Sequence, residues 1–230
     1  MATLKRSELT THILFNLGNR SSLSTYAINW LNFALHDTAN MRNWRSMCHL
    51  DTTSLVTEAG KVYYPLIPKL KDILDLQYVD GTLTTSLQYI EPDEYRKRYP
   101  HPENDGNGFP TLYTWEGEWL RFYPLAQQSG RAIYVYGAFW PDDFDALEDT
   151  YNPLEHLDGA LIAKACAYGY AAQDLLEKEQ SWHGKWITLC RQAARRDGRP
   201  TDGALGWGGG PTPVKRLGQF GDVPPLQVGA

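Results

Sequence analysis

Hydrolytic or metal chemistry in this chain would have to start from its carboxylates and histidines. Asp142, Asp143, Asp145, Glu148 and Asp149 crowd into a short stretch after Trp140-Pro141. Paired carboxylates can hydrolyse glycosides, and a cluster of them can hold a hard cation. These acids lead into Asn152-Pro153, which reads as a helix start, and acids suit a helix N-terminus. A solvated loop therefore accounts for them. His12, His36, His49, His101, His156 and His183 are scattered, with no H-x-x-x-H or HExxH pair to set two ligands on one helix face. Gly208-Gly209-Gly210 is followed by Pro211 rather than by Lys-Ser/Thr, so it is no phosphate loop. Cys48, Cys166 and Cys190 lack C-x-x-C spacing, and buried free thiols are expected. The sequence predicts a non-enzyme with no catalytic, metal or cofactor-binding residues.

Binding chemistry is better represented. Tyr95, Arg96, Lys97, Arg98 and Tyr99 interleave cations with aromatics, as single-strand binders do, but beside Glu91, Asp93 and Glu94 they read as a solvated helix face. Arg191, Arg195, Arg196 and Arg199 form a stronger cluster near the end of a helical stretch. They suit either DNA phosphates or an acidic face of a neighbouring subunit. Eight Trp and fourteen Tyr are more than one core needs. Such an excess marks protein interfaces or an aromatic-rich β core. Tyr113, Trp115, Trp119 and Tyr123 are the candidates for interface rings.

These residues need elements to position them. The 230 residues allow one sizeable core or two small ones. A net charge of −5 argues against a chain that grips nucleic acid. It fits a soluble protein, or a wall along which DNA slides. No signal-peptide pattern opens the chain, and no apolar run approaches the ~18 residues of a membrane span. Synthesis and assembly in a cytoplasm are expected.

Residues 1–45 read as two helices. Leu9, Ile13 and Leu17 share one face, with Gly18 as the stop. Leu23, Tyr26, Ala27, Trp30, Leu31 and Ala34 give the second helix its apolar stripe. Residues 46–145 read as an antiparallel β-rich insert. Its hairpins are placed at Glu58-Ala59-Gly60-Lys61, Asp80-Gly81 and Glu116-Gly117, with a short helix after Pro92. Residues 146–197 return to helix. Asn152-Pro153 caps a stripe of Leu154, Leu157, Leu161, Ala165, Tyr168, Ala172 and Leu175, and Trp182, Trp186, Leu189 and Ala193 mark the next helix. The expected fold is α+β: a bundle of N- and C-terminal helices carrying the β insert.

Residues 198–230 are dense in Gly and Pro yet keep apolar side chains at intervals. They read as an extended docking arm. Trp207, Val214, Lys215, Arg216, Leu217, Phe220, Val223 and Leu226 are its contact candidates.

Four segments in order resemble the head-to-tail adaptor (connector, or neck) proteins of tailed bacteriophages. The first is ILFNLGNRSSLSTYAINWLNFAL, with its Leu-Gly helix end and Trp30-Leu31-Asn32. The second is SLVTEAGKVYYPLIPKLKDILDLQYVDGTLTTSLQYIEPDEY, where Tyr63-Tyr64-Pro65-Leu66 follows an Ala-Gly turn. The third is the aromatic stretch from Phe109-Pro110 to Trp140-Pro141, and the fourth is the helix from Asn152-Pro153-Leu154. The resemblance covers about residues 8 to 195 and leaves the Gly/Pro tail outside. It implies a ring, commonly of twelve copies, docked beneath the portal in the virion neck. Its partners would be other copies of itself, the portal, a tail or nozzle protein, and DNA passing without sequence specificity. The residues alone also admit an aromatic-rich carbohydrate- or protein-binding module, or a hydrolase using the acids at 142–149.

Overall fold

The first helix starts where its orphan amides find acceptors. A computed structural model describes residues 3–81, 83–145 and 147–197. In α1 (Arg6–Asn16) the Glu8 carboxylate accepts the Lys5 amide at 2.8 Å, and Asp149 accepts the Ser7 amide at 2.8 Å and its hydroxyl at 2.9 Å. An acid at a helix N-terminus satisfies both a hydrogen bond and the dipole. Leu9, Ile13 and Leu17 are buried on one face, as their spacing requires. Helix α2 (Ser24–Met41) buries Ala27, Trp30, Leu31, Ala34 and Leu35 and leaves Tyr26 and Phe33 exposed.

Helices α4 (Asp158–Ala171) and α5 (Leu176–Arg196) complete the helical layer, with α4 packed against α1, α2 and α5. Gly169 of α4 permits the close approach. A Cβ there would lie 2.6 Å from a Leu17 methyl and 3.2 Å from the Trp30 ring. One apolar cluster joins these helices, and Cys166 and Cys190 lie inside it as free thiols. Burial pushes both thiols up to about 12, which keeps them protonated and unreactive at neutral pH.

The β strands build a second cluster. One sheet has the order β1-β10-β3-β4, from Cys48–Asp51, Ile133–Phe139, Leu70–Asp80 and Leu83–Ser86, all antiparallel. The other runs β2-β8-β7-β5, from Tyr64–Pro65, Trp119–Tyr123, Leu112–Glu116 and Gln88–Tyr89. Its β5–β7 pair is parallel, as is a two-stranded pair of β6 (Asn107–Gly108) with β9 (Leu125–Ala126). Leu76, Tyr78, Ile133 and Val135 from the first sheet share the core with Tyr64, Tyr113, Leu120 and Phe122 from the second. Helix α3 (Pro92–Arg98) covers the second sheet from outside: Tyr95 is fully buried and its hydroxyl donates to the Phe122 carbonyl. Among the described residues the fold is α+β, five α-helices with antiparallel-rich sheets.

Four local expectations need correction. Glu58–Lys61 makes a turn but no hairpin: Val56 bridges Ala132, whereas Tyr64 pairs with Leu120, so the two flanks go to different partners. The aromatic hairpin turns on Gly117-Glu118, because Glu116 pairs with Trp119 and Gly117 takes the left-handed φ of +59° that the turn needs. Asn152-Pro153 does not start α4. The Asn152 side chain accepts the Leu154 amide at 2.9 Å and donates to the Leu154 carbonyl at 2.8 Å and to Asp158 at 2.9 Å, closing a turn ahead of the helix. Beyond α4, Ala172 and Leu175 are exposed and leave the predicted stripe.

The helical layer and the first sheet are joined by Lys71 of β3. Its Nζ donates to the carbonyls of Ala39 at 2.5 Å and Arg42 at 3.2 Å, capping the end of α2, and sits 5.1 Å from the Trp140 ring centre. Asn43 adds a 2.7 Å bond to Asp72 in the same strand.

Candidate functional site

The acidic loop is almost wholly engaged within the chain. Asp142 pairs with Lys69, Asp143 lies 2.7 Å from His36 Nε2, and Asp145 accepts the Leu147 amide at 2.9 Å. Asp149 caps α1, and the Ser7 amide holds its carboxyl below the ordinary value. Phe144 between these acids is buried in the helical core. Asn32 of α2 clamps its backbone, accepting the Phe144 amide at 2.9 Å and donating to its carbonyl at 3.2 Å. The loop and His36 border an open groove of about 540 Å³. Among the described residues, no three His, Cys, Asp or Glu side chains gather as a metal site requires. This arrangement anchors a loop, and its carboxylates have structural partners rather than each other.

The Tyr95–Tyr99 segment is likewise committed. Tyr95 is buried under the Arg121 guanidinium, and desolvation pushes its hydroxyl up to about 12. Tyr99 stacks on Tyr123 at 3.6 Å. Arg96 pairs with Asp93 and Glu116, and Arg98 with Glu94. A single strand of nucleic acid would find no free ring here and, among the described residues, only Lys97 as an unpaired cation.

The predicted hairpin rings divide between two faces, since directly opposed residues share a face. Tyr113 and Trp115 stand opposite Phe122 and Leu120, on the core side. Trp119 and Tyr123 stand opposite Glu116 and Leu112, on the other. Tyr113 is buried, Trp115 and Tyr123 are half-buried, and Trp119 is 47% exposed with its edge against Tyr63. Trp115 and Trp119 therefore cannot form the coplanar platform a carbohydrate would need.

Sequence reasoning missed a buried polar cluster. Lys164 of α4 is only 8% exposed, with its Nζ 3.0 Å from Asp37 Oδ2 and 3.3 Å from His183 Nδ1. The ammonium also lies over the Trp186 ring at 4.4 Å, and Trp186 Nε1 donates to Thr38 at 3.0 Å. Asp37 and Lys164 pair across α2 and α4, where a buried charge needs a partner. The only sequence signal is a lysine inside an otherwise apolar α4 stripe.

The basic cluster differs from all of these. Arg191, Arg195 and Arg196 are exposed on the last turns of α5, and among the described residues none has an ion-pair or hydrogen-bond partner for its guanidinium. Arg199 and the arm candidates Trp207, Val214, Lys215, Arg216, Leu217, Phe220, Val223 and Leu226 lie outside the described residues.

One family profile matches residues 4–205, spanning every described strand and helix. The chain belongs to the SU10 adaptor protein family. This is a phage head-to-tail adaptor family, and the chain is a bacteriophage structural protein of that class. No curated protein sequence matches the adaptor. For an adaptor the working parts are surfaces, which gives the free arginines and the exposed Tyr26, Phe33, Tyr63 and Trp119 their interest. No helix among the described residues is long and apolar enough to cross a membrane.

Proposed function

We propose that this adaptor closes into a homo-oligomeric ring, of twelve copies, beneath the portal in the virion neck. The ring continues the DNA channel without reading sequence and offers a platform to tail or nozzle proteins. The reading is that of a structural part and not of an enzyme, assembled in the host cytoplasm. The observation that carries it is the family match across all the described elements. The surface supports it: rings and arginines stay exposed while the buried Lys164 is paired with Asp37. Closure of a ring is head-to-tail, so each copy must present two different complementary faces.

In this reading the helical elements form the ring body, residues 46–145 form a β-rich insert, and residues 198–230 form an arm that docks on the portal. Removal of residues 199–230 tests the arm. The expected outcome is an unchanged melting temperature with portal binding lost in a co-sedimentation assay. Unfolding of the truncated chain would assign the tail to the core, and retained binding would move docking to another surface.

A further inference from the structure

Helix α5 carries opposite charge at its two ends on a single exposed face. Glu177 and Arg195 are eighteen positions apart, five full turns, and so point the same way about 27 Å apart. Asp174 lies in the turn just before the helix, Arg191 lies one turn before Arg195 on the same side, and Arg196 points about 100° away from them. All five are exposed, and among the described residues none of their charged groups has an ion-pair partner. Gly184 lies between the two ends, with open space where a Cβ would stand. The lysines of the helix are turned aside: Lys178 lies 5.3 Å over the Tyr170 ring and Lys185 4.3 Å over the Trp182 ring.

We infer that the basic end of α5 (Arg191, Arg195) docks against the acidic end of α5 (Asp174, Glu177) in the next copy of this chain. This rests on the ring reading above and assigns it two faces. The occupant follows from charge complementarity: the two ends match each other and lie apart on one rigid element. A head-to-tail contact uses one end from each copy and leaves the other for the next. Complementary charge sets register and partner choice more than it sets raw affinity.

Acids at a helix start and cations at its end also favour the dipole of their own helix. The two explanations part on charge reversal. Variant one carries Asp174→Lys with Glu177→Lys. Variant two carries Arg191→Glu with Arg195→Glu. Variant three combines all four. Self-association is read by native mass spectrometry at low salt, and fold by far-UV circular dichroism. Variants one and two are expected to self-associate about 100-fold more weakly than the unaltered chain. Variant three, though worst for the helix dipole, is expected to regain self-association. An equimolar mixture of variants one and two is expected to co-assemble, which keeps the test valid if variant three folds poorly. Failure of the mixture to co-assemble, or unchanged assembly of the single-end variants, would overturn the inference while leaving the ring intact. An unaltered chain that stays monomeric with and without the portal would remove the ring reading and this contact together.

Discussion

The two charged clusters of this adaptor, the acids at 142–149 and the arginines at the end of α5, look alike in sequence and behave differently in the fold. Asp142, Asp143, Asp145 and Asp149 each meet a cation, a histidine or an amide of the same chain. Arg191, Arg195 and Arg196 meet none among the described residues. A charge already satisfied within its own chain serves to hold the fold. A charge left free on a rigid helix remains available to a partner, at little cost while it stays in water.

The contrast can be broken most forcefully at Phe144. If the loop is structural, Phe144→Ala empties a buried site and costs about 3–5 kcal/mol, read as a fall in the urea midpoint. A loss below about 1 kcal/mol would return the loop to the solvent. Asn32→Ala removes both clamps on the same backbone and should cost about 1–3 kcal/mol, since the Phe144 amide and carbonyl lose their partner.

Two pH effects sharpen the comparison. Burial lowers Lys71 from its ordinary 10.5 to about 8. Between those values the unfolded chain holds more protons than the folded one, so stability from this group rises with pH across the window. A neutral amine still donates to the Ala39 and Arg42 carbonyls, so the α2 cap survives. The unaltered chain should therefore gain stability relative to Lys71→Met between pH 8 and 10.5, measured by paired melts. Asp149 acts in the same sense, at the acid end of the scale. Its lowered carboxyl stabilises α1 above the ordinary 3.8, and the contribution fades as pH falls through the lower folded value. The gap in melting midpoint between the unaltered chain and Asp149→Asn should be clear at neutral pH and close under acid. The smallest effect belongs to the free arginines: Arg191→Ala with Arg195→Ala should leave monomer stability within about 0.5 kcal/mol.

The sequence was most legible where a local rule fixed the outcome. The Leu9-Ile13-Leu17 face and the Pro92 helix follow from spacing or turn chemistry and are in place, and the β3–β4 hairpin forms with Asp80 pairing Leu83, its turn starting at Gly81, one residue later than expected. Pairing between distant segments was not legible. Nothing local says that Val56 meets Ala132 while Tyr64 meets Leu120, so the Glu58–Lys61 turn reads as a hairpin until both partners are known. Asn152-Pro153 looks like a helix cap because Asn caps turns and helices through the same short-range bonds. The free and bound charges were equally illegible, since Asp149 finds Ser7 across 142 positions.

The central claim is a ring-forming adaptor, and its mass in solution tests it most directly. Native mass spectrometry of the chain, alone and mixed with its cognate portal, should show either a closed ring at once or a monomer that becomes a stoichiometric ring on the portal. A monomer that ignores the portal at high concentration would contradict the account.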